Sequence, residues 1–362
     1  MENVLCLYIM CEQPGKQLLS GGIRNNYNIN IMNNFSRKTG LFCVAILSLL
    51  TVSGLQAQQL SFRKDGSFKI VQFTDVHYCV SKPESKEALA VINETLDAEK
   101  PDLVIFTGDV VTEAPAKNGW DVVTEAVSKR GIPFAVTLGN HDDEQDLSRA
   151  QVARLVASYP KSLFKDTTDN VSGYGNYTLP IKSAAGNKTA AVLYCMDSRS
   201  YSKIKAVEGY GWFSQDQVNW YRNQSADFTK QNGGKPLPAL AFFHIALPEY
   251  NKAYNTRAIG LRFEDECNPK VNSGMFTAML ESGDVMGTFV GHDHDNDYIA
   301  WLDGIALVYG RFTGGKTTYI NIENGARVIT LQEGEAAFKS WIRLRGNRII
   351  QQTEFPKTFI KK

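Results

Sequence analysis

Apolar, β-rich runs that each end in a polar cluster recur along this chain at the interval of a strand–helix–strand unit, and that rhythm constrains the fold most. Phe68–Phe73 stops at Thr74-Asp75-Val76-His77, Leu103–Thr107 at Gly108-Asp109, and Pro133–Leu138 at Gly139-Asn140-His141-Asp142. Asp75 to Asp109 is 34 residues and Asp109 to Asn140 is 31, close to the roughly 30 or more that such a unit occupies. Between the clusters, Glu84–Lys100 carries Leu89, Ile92 and Leu96 on a helical stripe and is followed by Pro101, while Trp120–Lys129 suits a second helix. The unbroken apolar run Leu103–Thr107 is what a strand covered on both faces needs. The pattern returns where Ala239–Phe243 ends at His244 and Val285–Val290 ends at Gly291-His292-Asp293-His294. Open α/β sheets build their sites at the carboxyl ends of parallel strands, so these clusters are expected to converge.

Elsewhere, Ala190–Cys195 reads as a strand, Ser214 as the start of a helix, and the Gly-Tyr-Gly segments at 173–175 and 209–211 as turns. After about Asp303 the chain breaks into short β-like stretches, among them Ile305–Tyr309, Thr318–Ile322, Ala326–Leu331 and Ser340–Leu344. No repeat or low-complexity linker sets this portion apart. It is expected to form a second sheet packed on the first, within one domain spanning 58–362.

Composition narrows the partners. The 362 residues include 39 basic and 38 acidic side chains, a formal charge of +1, so no broad field favours nucleic acid or an anionic membrane. Attraction for an anionic substrate must be local. Near the N-terminus, Asn-Asn-Phe-Ser-Arg-Lys precedes an apolar run from Leu41 to Val52 and then Gly-Leu-Gln-Ala. That order is a signal peptide's, placing residues 32–57 in a leader cleaved after Ala57 and the mature protein outside the cell or in the periplasm. Twelve apolar residues are short for a bilayer span, so no stable membrane anchor is expected. Residues 1–31 are consistent with a mis-assigned start. Once the leader is removed, Cys79, Cys195 and Cys267 remain, an odd and widely spaced set that reads as buried free thiols rather than a disulfide framework.

The chain contains five histidines, His77, His141, His244, His292 and His294. All stand at expected strand ends, and four lie within two residues of an Asp. A lone histidine is as readily a structural residue, and Asp75-x-His77 or Gly108-Asp109 alone is ordinary turn chemistry. Gly139-Asn140-His141-Asp142 and Gly291-His292-x-His294 are more specific. Scattered structural histidines would also fall in helices and in the β-rich tail, where none occurs.

In this order, DxH, GD, GNHD, a lone His and GHxH resemble the calcineurin-like metallophosphoesterase family over about Phe68 to His294. The flanking Phe-His-Ile-Ala-Leu-Pro-Glu from Phe243 and Gly-His-Asp-His-Asp-Asn-Asp from Gly291 resemble the branch related to purple acid phosphatases. The resemblance implies a four-layer α/β/β/α sandwich, two mixed β-sheets flanked by helices. It also implies two transition-metal ions, Fe, Mn or Zn. Asp75, His77, Asp109 and His294 would hold one, and Asp109, Asn140, His244 and His292 the other, with Asp109 shared. Imidazole and carboxylate donors without thiolate suit those metals, and two such ions lower the pKa of a bridging water and clamp phosphoryl oxygens. His141 resembles the histidine that stabilises the transition state or protonates the leaving oxygen, with Asp142 orienting it. Purple acid phosphatases carry a ligand tyrosine three residues after the Asp of GD; here that position is Thr112, which implies no charge-transfer colour.

The implied activity is hydrolysis of a small phosphomonoester by a metal-bridging hydroxide. A phosphodiesterase acting on a cyclic nucleotide or phospholipid headgroup would use the same ligands, and an inactive secreted metal-binding protein is the reading from another class. Tyr210, with Tyr174 and Trp212, is placed to line a substrate cleft, against packing in tight turns. Arg311 is a candidate phosphate contact, against a solvated arginine. Asp293 and Asp295 flank the last motif in supporting or merely exposed positions.

Overall fold

The computed structural model describes residues 59–166 and 171–360; the leader at 32–57 and the segment 1–31 lie outside the described residues. Fourteen strands and six helices make up the described chain: β1 (Leu60–Ser61), β2 (Ser67–Phe73), α1 (Ser85–Glu99), β3 (Leu103–Thr107), α2 (Ala116–Ser128), β4 (Phe134–Thr137), α3 (Arg149–Ser158), β5 (Tyr177–Lys182), β6 (Thr189–Cys195), α4 (Gln215–Gln231), β7 (Ala239–Phe242), α5 (Glu249–Tyr254), β8 (Ala258–Ile259), α6 (Met275–Ser282), β9 (Val285–Val290), β10 (Ile299–Leu302), β11 (Ile305–Tyr309), β12 (Gly325–Gln332), β13 (Phe338–Leu344) and β14 (Arg348–Phe355).

The strands form two mixed sheets. One has the order β14-β13-β12-β2-β3-β4, the other β1-β5-β6-β7-β9-β11-β10-β8. In the first, β2, β3 and β4 are parallel, with Val71 opposite Val104 and Ile105 opposite Ala135. In the second, β6, β7, β9 and β11 are parallel. Leu193, Cys195, Leu240, Phe242, Ala306 and Val308 pack into the core between the sheets. Their neighbours Val192, Tyr194, Ala239, Ala241, Leu307 and Tyr309 pack into a separate core on the opposite face, with residues of α4, α5 and α6. Period-two side-chain alternation thus buries both faces of this sheet, which is why its strands read as continuous apolar runs. On the far side of the six-stranded sheet, α1 lies against β2, β12 and β13. Helix, sheet, sheet and helix layers give the expected four-layer sandwich.

The expectation for the tail needs correction. β12, β13 and β14 do not build the second sheet; they extend the first, β12 pairing antiparallel to β2 with Ile329 opposite Ile70. The second sheet comes from residues 60–61 and 177–309 instead. Thr318–Ile322 is not a strand: the Tyr319 carbonyl faces His294, and Asn321 binds Asp295. Ser214 caps α4 in a capping box with Gln217. Cys79, Cys195 and Cys267 are free thiols, although Cys267 is exposed rather than buried.

The first sheet is tied to the second where the chemistry sits. Buried Gln72 donates from Nε2 to Thr107 Oγ1 (2.9 Å) and to the Val290 carbonyl (3.0 Å). Thr74 forms a parallel bridge to Phe312. The carboxyl ends of β2, β3, β4, β7 and β9 are thereby drawn to one edge.

Candidate metal centre and active site

Each polar cluster follows its strand directly, and backbone pairing continues into the loops. Asp75 N–H donates to the Gly108 carbonyl (3.1 Å) and His77 N–H to the Asp109 carbonyl (2.9 Å). Asp75, His77, Asp109 and His292 all adopt positive φ, at 52°, 43°, 51° and 79°. Non-glycine residues rarely do so, and such backbone persists where the surroundings over-determine it. Glycines make the close approach: a Cβ on Gly139 would fall on the Asp109 carboxylate, and one on Gly291 on the Thr74 hydroxyl.

Two compact donor groups result. Asp75, His77 and His294 form one, and Asp109, His244 and His292 the other, with all ligand atoms in each group within 4.8 Å of one another. All six residues are buried. Asp109 stands between the groups: its Oδ2 is 3.1 Å from His244 Nε2 and 3.8 Å from His77 Nε2. Asn140 joins the second group through Oδ1, 3.1 Å from His244 Nε2. The seven residues expected as ligands therefore come together.

Hydrogen bonding on the outer ring nitrogens says what the inner ones are for. His244 Nδ1 donates to the Thr107 carbonyl (2.7 Å), and His294 Nδ1 to the Tyr319 carbonyl (3.0 Å). Their Nε2 lone pairs then face oxygen acceptors, Asp109 and Asn140 for His244 and Asp75 (3.7 Å) for His294. Lone pairs converging on acceptors repel unless a cation lies between them. His77 Nε2, His292 Nε2 and Asp109 Oδ2 are also buried without hydrogen-bond partners, an arrangement that costs free energy unless something binds there. The donor set fits two metal ions.

Electrostatics agree. Burial lowers the His77 imidazole to about 3 and His294 to about 4, and holds His292 well below its ordinary value. These three are neutral ligands at neutral pH. Burial also pushes Asp75 up to about 7. For Asp109 burial acts upward, but the imidazoles of His244, His77 and His141 outweigh it and hold the carboxyl well below its usual range. Burial disfavours charge on His244 too, yet the Asp109 carboxylate raises it to about 9. A proton on His244 occupies the place a metal would take.

His141 belongs to neither group. Its ring lies 5.7 Å from that of His77, and its side chain is 35% exposed. Its Nδ1 is 2.5 Å from Glu144 Oε2, so Glu144, not Asp142, orients it. Asp142 is fully buried and turned the other way. Its Oδ2 accepts the Asp109 and Gly139 N–H groups (3.0 and 2.8 Å) and its Oδ1 those of Val110 and Val111 (2.8 and 3.3 Å). It ties the loop of Asp109 to the loop of Asn140. Glu144 was not singled out from the sequence; its signal is the three-residue spacing from His141, closed by the Glu144 N–H to the His141 carbonyl (3.4 Å).

The two weaker candidates diverge. Tyr210 meets the His292 ring edge-on at 4.4 Å and stacks on Tyr201 at 5.5 Å, at the rim of the second group. Arg311 is 2% exposed and pairs with buried Asp297 and the Glu323 carbonyl. It is a structural cation, not a substrate contact. Asp293 and Asp295 are buried supports, accepting from Tyr309 and Asn321. Thr112 Oγ1 lies 3.5 Å from Cys79 Sγ. The tyrosine beside the first group, Tyr319, stacks on His294 at 4.3 Å and spends its hydroxyl on Glu264, so it offers no phenolate ligand there.

A two-sheet sandwich whose strand ends converge on two Asp/His groups is the architecture of a metal-dependent phosphoesterase. The calcineurin-like phosphoesterase family matches residues 68–296, and the chain belongs to that family of phosphoesterase hydrolases. It is 32% identical over 343 residues to a protein of Arabidopsis thaliana named probable inactive purple acid phosphatase 29, covering 85% of this chain and 87% of that one. A second Arabidopsis thaliana relative, named probable inactive purple acid phosphatase 14, is 34% identical over 71% of this chain and 73% of its own length. Phosphatase DCR2 of Saccharomyces cerevisiae is 34% identical over 80% of this chain and 56% of its own length. These relatives place the chain in a branch related to purple acid phosphatases. The fold is similar to that of a dimetal phosphatase from Danio rerio, with a TM-score of 0.57, 12% identity, and coverage of 79% of this chain and 98% of that one.

Proposed function

We propose that this protein hydrolyses phosphate monoesters with two transition-metal ions, and that it does so outside the cytoplasm. The observation that carries the reading is the convergence of buried imidazole nitrogens and carboxylate oxygens, among which His77 Nε2, His292 Nε2 and Asp109 Oδ2 have no hydrogen-bond partner. Asp75, His77, Asp109 and His294 would hold one ion and Asp109, Asn140, His244 and His292 the other. When bound, such ions activate water as the nucleophile and neutralise the phosphoryl oxygens.

The chain's own residues supply the rest. Asp109 sets the spacing of the two groups, and Asp142 fixes Asp109. The neutral Asn140 amide limits negative charge around an anionic ester. Burial opposes charge on His141, but the Asp109 and Glu144 carboxylates outweigh it and raise the imidazole above its ordinary value. Glu144 accepts a hydrogen bond from Nδ1–H, so the imidazolium can give its Nε2 proton to the departing alkoxide and remain as neutral imidazole. The absence of a tyrosine at Thr112 argues for a colourless centre.

The test is elemental analysis of the purified protein with turnover of nitrophenyl phosphate and bis-nitrophenyl phosphate on the same sample. Roughly two metals per chain, faster monoester turnover, loss on chelation and recovery with Mn, Fe or Zn are expected. Faster diester turnover would replace the monoester reading. No metal and no turnover after reconstitution would make this a non-catalytic protein, as the names of its Arabidopsis thaliana relatives describe them. A mature N-terminus at Gln58 is expected if the leader is removed; one at Met1 or Met32 would remove the export reading.

A further inference from the structure

A cavity of about 340 Å³ opens beside the two donor groups, and none of the seven metal-ligand candidates lines it. Its walls come from the segment after β6, from Tyr174, and from Asp143 and Arg149 just beyond His141. Two links join it to the centre. Ser200 Oγ donates to the Asn140 carbonyl at 3.4 Å, and Tyr201 on the cavity wall stacks on Tyr210, whose ring meets His292. An ester held at the donor groups would therefore extend its leaving group past Tyr210 towards this space.

The charges in the cavity are unevenly spent. Arg149 is saturated by Asp143 (2.8 Å) and Asp197 (2.7 Å). Asp197 also accepts the N–H groups of Tyr174 and Arg199, each at 2.8 Å. Arg199 is different: its Nη1 is buried with no hydrogen-bond partner, a costly state for a guanidinium. Its backbone sits at φ 74°, strain of the kind that clusters at ligand clamps. Lys203 stands on the same wall and forms no ion pair among the described residues. Three cations, Arg149, Arg199 and Lys203, stand against two carboxylates, Asp143 and Asp197, so the cavity carries one surplus positive charge. The apolar lining is mainly aromatic, from Tyr174, Tyr201 and Trp212, with Ile204 beside them.

We propose that this cavity receives the leaving group of the substrate, and that the leaving group is a flat ring system carrying a second anion. The ring packs on the aromatic walls, and the anion takes the Arg199 guanidinium and Lys203 in a charge-assisted contact. The assignment rests on the phosphomonoesterase reading and adds its substrate class.

The test compares 2-naphthyl phosphate with 6-carboxy-2-naphthyl phosphate, which differ only in the second anion, on metal-loaded wild type, Arg199→Gln and Lys203→Gln. The expected result is that Arg199→Gln loses roughly ten-fold more kcat/KM on the carboxylated ester than on the plain one, with the same sign and a smaller excess for exposed Lys203→Gln. Equal losses on both esters, or no excess in either variant, would overturn the proposal. If wild type hydrolyses neither ester, the phosphomonoesterase reading fails separately. Calorimetry with 6-carboxy-2-naphthol then decides on the cavity. Binding weakened roughly ten-fold in Arg199→Gln sustains it, and equal binding of plain 2-naphthol, or no binding, overturns it.

Discussion

Replacing Asp142 by Asn keeps the volume and exchanges one carboxylate oxygen for an NH₂ donor. Each oxygen accepts two backbone N–H groups. Either orientation of the amide therefore leaves two buried N–H groups facing a donor. At about 1–3 kcal/mol per unsatisfied group, the gross cost is about 2–6 kcal/mol. Burial already pushes this carboxyl up to about 6, so removing the buried charge returns part of that, and a net loss of about 2–4 kcal/mol is expected. The released groups belong to Asp109, Val110, Val111 and Gly139, so metal affinity should fall as well, roughly 10–100-fold. Urea unfolding of the metal-free protein and a metal titration read the two effects. If Asp142→Asn kept wild-type stability and metal affinity but lost turnover, the backbone-clamp argument would be refuted and Asp142 would act through His141 after all.

Other variants separate the remaining roles. His141→Ala should retain both metals while turnover falls roughly 10²–10⁴-fold, and Glu144→Gln should reproduce part of that loss; metal analysis beside kinetics checks both. Arg311→Met should destabilise by about 3–5 kcal/mol because it strands buried Asp297, yet leave KM for nitrophenyl phosphate unchanged; a raised KM at wild-type stability would restore Arg311 as a substrate contact. Burial opposes ionisation of Asp197, but Arg149 outweighs it and holds the carboxyl below its unfolded value of 3.8. The pair's contribution is therefore present above about pH 4 and lost as pH falls through the lowered folded value. Arg149→Gln should accordingly cost about 3–5 kcal/mol at pH 7, and less near pH 4, where the stranded carboxyl can take up a proton; an equal cost at both pH values would contradict the pairing.

The parallel half of each sheet was legible because its strands are covered on both faces, which leaves uninterrupted apolar runs such as Leu103–Thr107 and Val285–Val290. The placement of the tail was not. β12 pairs with β2, a partner far away in sequence, and no local pattern of Ala326–Leu331 distinguishes joining an existing sheet from starting another. Thr318–Ile322 looked β-like for its composition, but its backbone is used as acceptor and donor for His294 and Asp295.

The same physical limit explains which site residues could be read. Metal-ligand candidates announce themselves by type, because imidazole, carboxylate and amide at successive strand ends have few other reasons to recur together. The acidic residues interleaved with them carry no such label. In the run from His292 to Asp297 the two histidines face the donor groups, while the carboxylates point away. Asp293 accepts from Tyr309 Oη (2.5 Å) and Cys267 N (3.2 Å), Asp295 from Asn321 N (2.6 Å), and Asp297 from Leu261 N (2.6 Å) and Arg311. Asp142 does the same after Asn140. Each motif thus alternates side chains that converge on the centre with carboxylates that clamp the loop behind it. Since a carboxylate can accept from a backbone N–H anywhere nearby, its partner is settled by how the loops stack, and Glu144 takes the role that proximity in sequence suggests for Asp142.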